Sequence, residues 1–351
     1  MANLTTTAFY TRKGVKYGSI GIVVFLILRF FFYTAVDYWQ KIHPPPPPPP
    51  TVAFGKLPAI EFPEPVNLPA EISYKLETAE GIIPQTEDIG KVYTITKANP
   101  SLLGLDRAKE LARKMGFAAE PVQITPRLYR FSSTTTPVTI LEIDTVTGYF
   151  TLKYDYRNDQ AILAEKKLPS DEQAVREAKN FLSTLGLLET DLDEGESKIS
   201  YYRFSPDELL PAISLSEADF VRVDLCRQLL DEKKVIADKP NQSLIYFLFS
   251  GSRERQKRTI EVKYVYSPLE RDNFATYPLK SASEAWSELN SGTGFIADLG
   301  DNQNGQVIIR RIFLSYFESE KPQNFLQPIF VFEGDKNFSA FVPAVDPEWV
   351  D

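Results

Sequence analysis

Histidine and cysteine are almost absent from this chain of 351 residues, which contains only His43 and Cys226. A Ser-His-Asp or Cys-His site needs a histidine near its nucleophile, and zinc sites rely on His and Cys ligands. Because His43 directly precedes a run of prolines, the residues after it cannot build either kind of site. One cysteine also excludes a disulfide within the chain, so core packing must provide the stability. Cys226 ends the alternating run 220–226, which predicts a structural thiol rather than a reactive one.

Basic residues are outnumbered, 39 to 47, and the formal net charge is −8. Residues 1–43 carry five basic residues and one acidic residue, a net charge of +4. The remaining residues therefore carry −12. An acidic region without a basic stripe argues against nucleic acid as a partner and against broad binding to anionic lipid.

One long apolar run is present at residues 18–36, and it includes twelve Ile, Val, Leu or Phe residues. On the insertion scale these contribute about −4 to −7 kcal/mol, which exceeds the roughly +2.5 to +3.5 kcal/mol cost of Arg29. The run predicts a transmembrane helix over residues 17–39 after a tail of residues 1–16. Arg29 is expected either to pair with a partner helix in the membrane or to extend toward the headgroups.

The charges beside the run predict its orientation. Arg12, Lys13 and Lys16 precede it, whereas only Lys41, offset by Asp37, follows it closely. The positive-inside rule then places the tail in the cytoplasm and the C-terminal region outside the plasma membrane. A cleaved signal peptide is the alternative, although such peptides have a shorter apolar region and an A-x-A-like cleavage site.

Seven consecutive prolines occupy residues 44–50, and proline stays frequent up to residue 69. Polyproline II rises about 3.1 Å per residue, so the run would span roughly 22 Å. Residues 40–70 are therefore predicted to be an extended linker. It serves either as a plain spacer or as a docking site for an aromatic groove.

Three amphipathic helices are predicted beyond the linker, each ended by glycine or asparagine. The second and third begin with capping-box patterns, Ser170 with Gln173 and Ser281 with Glu284. Their apolar faces contain Leu105, Ala108, Leu111, Ala112 and Met115 in the first, Ala174, Val175, Ala178, Phe181, Leu182 and Leu185 in the second, and Ala282, Ala285, Trp286 and Leu289 in the third.

Strands are predicted between these helices. Residues 150–156 and 260–266 alternate as half-buried strands do, while residues 244–249 are apolar on both faces and should lie centrally under a helix. Asn304-Gly305 predicts a hairpin ahead of residues 307–317, and residues 334–337 should turn the last strand pair. Strands that meander between separated helices favour an antiparallel α+β fold made of repeated units at 71–165, 166–276 and 277–346.

The repeated unit resembles the PepSY domain, whose Asp-Thr-Gly strand turn is similar to LEIDTVTGY at residues 141–149. Residues 285–296, LQPIFVF at 326–332 and FSAFVPA at 338–344 resemble the YycH/YycI group. The resemblance implies a membrane-anchored extracytoplasmic regulatory protein with one N-terminal span and PepSY-like units. The chain departs from that group in its seven-proline run and in residues 189–219, which puts any specific kinase partner in doubt.

Several patterns imitate functional sites. Residues 292–297 match G-x-G-x-x-A but follow a helix, so helix termination explains them better than dinucleotide binding. The acidic and amide residues at 298–304 lack the spacing and final glutamate of an EF-hand, and they predict a solvated turn. Asp191 with Asp193 predicts an acidic loop, and residues 318–321 a solvated connection. No catalytic, cofactor-binding or metal residue is therefore predicted.

The leading hypothesis is an interaction module of the bacterial envelope. It would be tethered to the membrane and would bind and regulate another envelope protein or a peptide, without catalysis. A peptidase inhibitor or folding assistant, roles that the PepSY resemblance implies, is one alternative. An envelope hydrolase that uses two carboxylates about 5–10 Å apart in a deep, aromatic-lined cleft is the other.

Overall fold

The structure is a computed structural model that describes residues 4–42, 48–64, 68–69, 71–135, 137–206 and 208–351. It contains two compact units, Met1–Pro49 and Pro50–Asp351. His43 and the first four residues of the proline run lie outside the described residues, so the predicted polyproline spacer is only partly described.

The first unit contains one helix, α1 (Leu4–Ile42). Its segment Ala8–Trp39 is long and apolar enough to cross a membrane, and the predicted span of 17–39 lies within it. The Arg29 guanidinium lies over the Tyr33 ring, 5.4 Å from its centre. This cation–π contact joins two residues that are one helical turn apart in α1.

The second unit contains two sheets. Its strands are β1 (Ser73–Leu76), β2 (Ile89–Ile95), β3 (Val122–Gln123), β4 (Leu128–Ser132), β5 (Thr139–Asp144), β6 (Phe150–Tyr154), β7 (Ser197–Phe204), β8 (Leu209–Ala212), β9 (Phe220–Leu225), β10 (Val235–Ile236), β11 (Ile245–Ser250), β12 (Thr259–Tyr264), β13 (Leu269–Pro278), β14 (Phe295–Asp298), β15 (Gln306–Phe317), β16 (Phe325–Gly334) and β17 (Ser339–Pro343). Its helices are α2 (Gly104–Lys114), α3 (Gln160–Ala164), α4 (Asp171–Leu185), α5 (Thr190–Asp193), α6 (Arg255–Arg258) and α7 (Ala282–Asn290).

The nine-stranded sheet has the order β3-β4-β5-β6-β12-β11-β9-β7-β8, and its neighbours are antiparallel. Helices α2 and α4 cover one face, where Ala112 and Leu182 are fully buried against Leu141, Val223 and Phe247. The predicted central strand is β11, which lies beside β12 and packs Phe247 against Phe181 of α4. The predicted position of this strand, within the sheet and under a helix, is confirmed. Both of its faces are covered, which explains why neither face is polar.

The eight-stranded sheet has the path β1-β15-β16-β17-β14, with β2 between β16 and β13 and with β10 beside β15. Two short pairs, β1 with β15 and β10 with β15, are parallel, and the other pairs are antiparallel. Helix α7 packs on this sheet through Ala285 and Leu289, which are buried with Phe332 and Val342. The overall α+β class with antiparallel sheets is confirmed.

All three predicted amphipathic helices are present, as α2, α4 and α7, but the capping box predicted for the second is half formed, because the Gln173 side chain donates to Glu177. Ser281 and Glu284 form a reciprocal capping box at the start of α7, with hydrogen bonds of 3.2 and 2.6 Å. At α4 the Ser170 hydroxyl accepts from the Gln173 amide, and Gly186 ends the helix with a left-handed φ of 73°. Glycine adopts this conformation without strain, so a glycine at this position indicates the end of a helix.

The repeated unit is not confirmed, because strand pairing crosses the predicted boundaries. Strand β6 of the first predicted unit pairs with β12 of the second, so both belong to the nine-stranded sheet. Strand β2, also in the first predicted unit, instead pairs with β16 in the other sheet. Pairing between strands distant in the chain is not encoded in local pattern, which is why a helix-and-meander motif suggested separate units.

The hairpin prediction at Asn304-Gly305 is wrong. Strand β14 before this turn pairs with β17, and β15 after it lies between β1 and β16. The turn instead meets β1, since the Ser73 amide donates to the Gly305 carbonyl at 2.8 Å. A Cβ on Gly305 would lie 2.3 Å from the Glu71 carbonyl oxygen. The glycine therefore allows two segments of the chain to approach each other closely, and it does not form a two-residue hairpin.

Part of the predicted linker is folded. Leu57 is completely buried, and its amide donates to the Trp349 carbonyl at 2.8 Å. The Gln327 amide donates to the Pro58 carbonyl at 2.9 Å, and the Phe62 ring stacks on Phe295. Apolar residues of this segment are thus packed against the core, and their burial favours a folded segment over a free linker.

Candidate functional site

The segment of residues 226–244, here called the crossover segment, connects the two sheets. It leaves the nine-stranded sheet after β9, places β10 beside β15 in the other sheet, and returns to begin β11. Together with residues 194–198 and Glu318 it encloses a pocket of about 570 Å³, here called the inter-sheet pocket. Pockets for small ligands measure roughly 300–1,000 Å³, so this one is large enough to bind a ligand.

The pocket wall combines apolar and charged side chains. Leu229, which is 53% exposed, and Leu244 are among its apolar residues. Apart from Arg227 and Glu318, its charged residues carry a net charge of −1. They are Glu194, Glu196, Glu232, Lys198 and Lys234. The Lys198 ammonium donates to the Pro240 carbonyl at 3.2 Å, across the pocket wall.

A buried arginine fixes one end of the pocket. The Arg227 side chain is 7% exposed and donates to the Asp191 carboxylate and to the Glu318 carboxylate, both at 2.6 Å. Its guanidinium also lies 4.2 Å from the centre of the Tyr266 ring. Asp191 belongs to α5 and Glu318 follows β15, so this ion cluster links elements packed on different sheets. Burial lowers the pKa of Arg227, but the charges of Glu318 and Asp191 raise it by more, so the net shift is upward.

Glu318 and Asp191 therefore correct two sequence interpretations. Residues 318–321 were predicted as a solvated connection, yet the Glu318 side chain is 13% exposed and bound to Arg227. Asp191 likewise is 11% exposed, whereas Asp193 is 58% exposed and fits the expected acidic loop. A buried cation is costly unless it is paired, so Glu318 and Asp191 are buried beside Arg227. The sequence did not show that Arg227 would be buried at this place in the fold.

A strained two-residue turn contributes another part of the wall. Leu230 and Lys233 exchange backbone hydrogen bonds of 2.9 Å, and Asp231 and Glu232 between them have φ values of 48° and 61°. Such values suit type I′ turns, where Asn and Gly are usual, and each costs a non-glycine residue of order 1–3 kcal/mol. This turn conformation places Glu232 on the pocket wall.

The carboxylate of Asp231 compensates for that strain. It accepts hydrogen bonds from the Lys91 ammonium at 2.8 Å and from the hydroxyls of Tyr93 and Tyr316. Burial raises the pKa of Asp231, but the hydrogen bonds from Lys91 and Tyr93 outweigh this effect and lower it overall. Asp231 therefore stays ionised and holds the crossover segment onto β2 and β15.

Cys226 lies in the wall of the inter-sheet pocket and is half-buried. Burial raises the pKa of its thiol, and the opposing charge of Lys198 is not sufficient to reverse the shift. A raised pKa keeps the thiol protonated, which favours the predicted structural role. Gly195 lies directly opposite, and a Cβ there would come within 2.0 Å of the Cys226 carbonyl oxygen.

The other patterns singled out in the sequence lie elsewhere. Residues 292–297 follow α7 and lead into β14, so they do not open a helix as a dinucleotide motif must. The Asn302 amide donates to the carbonyls of Leu299 and Asp335 at 2.9 and 3.1 Å, which makes it a turn residue. Within the described ranges, no cluster of three or more His, Cys, Asp or Glu residues could hold a metal ion.

The inter-sheet pocket differs from the cleft that a carboxylate-based hydrolase would need. Four glutamates line it, but its described lining includes no aromatic ring. Sequence reasoning missed this pocket because its walls come from three separate stretches of chain. The one local signal was the short apolar run at 235–237 within a charged loop, which is typical of a brief edge strand.

Comparisons with known proteins add little. No family model matches the chain, and no curated protein matches it. Nine solved chains match, and one is an uncharacterized protein from Eubacterium rectale ATCC 33656 whose crystal structure was determined at 1.45 Å resolution. It is 11% identical, the match covers 73% of this chain and 82% of that chain, and the TM-score is 0.32. Likeness at that level supports no statement about function.

Proposed function

We propose that this chain is a single-pass membrane protein whose second unit lies outside the cytoplasm and binds another envelope protein or a peptide. Binding there would regulate the partner without catalysis. The observation that carries the proposal is the inter-sheet pocket, which is about 570 Å³ in volume and has both apolar and charged walls. Ligand-binding pockets of this volume combine apolar side chains with polar groups that fix the orientation of the ligand.

The membrane attachment rests on helix α1 and on the charges that flank it. The segment Ala8–Trp39 meets the length and apolarity of a membrane span. Arg12, Lys13 and Lys16 lie toward its N-terminal end, which supports a cytoplasmic tail by the positive-inside rule. The proposed location is therefore the plasma membrane, in agreement with the layout of the YycH/YycI group that the chain resembles.

The groups around the pocket support binding better than catalysis. The Arg227 guanidinium forms ion pairs with Asp191 and Glu318, so all three charged groups are held in structural contacts. The pKa of the Cys226 thiol is raised, which opposes nucleophilic attack. The fixed ion pair of Arg227 with Glu318 and the apolar side chains of the wall instead give a ligand a preorganised surface.

Site-specific photo-crosslinking in intact cells tests the proposal. A photoreactive amino acid at Leu229, which is 53% exposed on the pocket wall, should capture a membrane or envelope protein. The same amino acid at Ile213, which is 93% exposed but outside the pocket lining, is the matched control. We expect a specific crosslinked band from position 229 and none from position 213.

Equal capture from both positions, or none from either under several chemistries, would count against a binding role for this pocket. The identity of the captured protein also separates the alternatives. A protease that the full-length chain inhibits would support the peptidase-inhibitor role that the PepSY resemblance implies.

A further inference from the structure

We infer that the inter-sheet pocket binds an extended peptide segment by pairing the peptide backbone with the free edge of β10. The inference rests on the proposed function and specifies the chemistry of its partner. Peptides that add a strand to an exposed sheet edge gain affinity from backbone hydrogen bonds and specificity from side-chain pockets.

Strand β10 has one occupied edge and one open edge. Its occupied edge faces β15, where the Tyr316 amide donates to the Lys234 carbonyl at 2.8 Å and the Glu318 amide donates to the Ile236 carbonyl at 2.9 Å. Among the described residues, β15 is its only strand partner. The remaining edge of β10 therefore offers backbone groups to another strand.

The open edge belongs to Val235 and Ala237. Backbone groups of successive residues in a strand point to opposite sides, so Val235 and Ala237 direct their N–H and C=O groups away from β15. Within the part of the chain that the structure describes, the turns and loops make no backbone hydrogen bond to the N–H or C=O groups of Val235 and Ala237. Both residues line the inter-sheet pocket. Partly buried backbone groups without partners are costly, and an incoming strand would satisfy them.

The side chains around this edge define the kind of peptide. Leu229 and Leu244 can receive an apolar side chain, and alternate residues of an extended peptide point to the same face. Glu194, Glu196 and Glu232 outnumber Lys198 and Lys234 on the wall, and residues 44–351 carry a net charge of −12. The preferred occupant is therefore a segment of a partner protein with an apolar residue flanked by basic ones, rather than an acidic segment of this chain.

A proline substitution removes the proposed donor selectively. Val235→Pro deletes an N–H that points away from β15, and proline is tolerated at edge-strand positions whose N–H is not used in the sheet. The probe is a displayed library of random octapeptides, selected against the full-length chain in lipid nanodiscs. We expect enrichment of apolar-basic sequences, and at least tenfold weaker binding of a selected peptide to Val235→Pro. Ile213→Pro, an exposed position outside the pocket, is the control and should bind normally.

N-methylation of the selected peptide gives an independent readout, which remains decisive if Val235→Pro fails to fold. Methyl groups on alternate amides should weaken binding at least tenfold, whereas those on the intervening amides should not. Binding without this alternation, together with normal binding by folded Val235→Pro, would overturn strand addition and leave the binding function intact. If no peptide binds while the photoreactive residue at position 229 still crosslinks a partner, strand addition would be overturned as well. Failure of both experiments would contradict the proposed function itself.

Discussion

At the residue scale, Arg227 is a cation held by two carboxylates at the end of the inter-sheet pocket. It is buried, its two carboxylate partners are also buried, and it touches elements on both sheets. A buried ion pair is not automatically stabilising, because desolvation opposes the attraction between the charges. Removing one member is nevertheless costly, since the remaining charges stay buried without a partner.

Arg227→Met should therefore lower the free energy of unfolding by about 3–5 kcal/mol, because it leaves Glu318 and Asp191 without their cation. Urea unfolding of the full-length chain in detergent, followed by tryptophan fluorescence, measures this change. Arg311→Met removes an exposed cation paired with Glu333 and should cost no more than about 1 kcal/mol. Equal effects of the two substitutions would show that the Arg227 cluster does not fix the crossover segment.

Residue-scale features of the site were largely hidden in the sequence. Asp231 and Glu232 both adopt left-handed φ values. Aspartate tolerates this conformation, but the pair lacks the glycine or asparagine that usually indicates such a turn. The conformation is stabilised by Lys91, Tyr93 and Tyr316, which are distant in the chain. By contrast, the structural role of Cys226 was predicted from strand alternation, and the raised thiol pKa supports it.

At the element scale, residues 51–62 are an integral strap of the second unit rather than a linker. Leu57 forms a parallel bridge with Val350, and the Asp351 amide donates to its carbonyl at 2.9 Å. The segment that follows the proline run is thereby joined to the C-terminus of the chain. Backbone hydrogen bonds from the amides of Val52 and Leu57, together with the burial of the Leu57 side chain, attach this segment to the rest of the second unit.

Leu57→Ala should therefore destabilise the second unit by about 2–5 kcal/mol, as expected for a fully buried leucine. Lys56→Ala, one residue earlier, removes a side chain that is 57% exposed and should change stability by no more than about 0.5 kcal/mol. Thermal unfolding of the full-length variants gives the comparison. If Leu57→Ala unfolds like the wild-type protein, residues 51–62 act as a free linker after all.

Local pattern predicted the elements better than their partners. Helix α7 has its apolar face, its capping box and its ending at Asn290-Ser291-Gly292 within a few residues, so local sequence was sufficient to predict it. Strand β14 illustrates the opposite case, because its partner β17 follows more than forty residues later, after two other strands. Turn chemistry alone suggested the wrong pairing, since the contacts that decide it are made across the sheet.

At the scale of the whole molecule, charge and hydropathy divide the chain into two different regions. Residues 1–43 carry a net charge of +4 and include the apolar helix, whereas the remainder carries −12 and packs two sheets. This asymmetry agrees with the proposed arrangement, in which a membrane anchor has a basic cytoplasmic side and the acidic folded unit lies outside the cytoplasm. The pocket and its proposed partner have a role in the envelope only if that arrangement holds.

Labelling with a membrane-impermeant maleimide in intact cells tests this arrangement most directly. In a Cys226→Ser background, Ile213→Cys should react in intact cells, and Lys13→Cys should react only after the membrane is opened. The protein should also stay in the membrane fraction with its N-terminal tail present. Labelling of Lys13→Cys in intact cells, protection of Ile213→Cys, or a mature protein without the first forty or so residues would contradict a tethered, outward-facing binding protein.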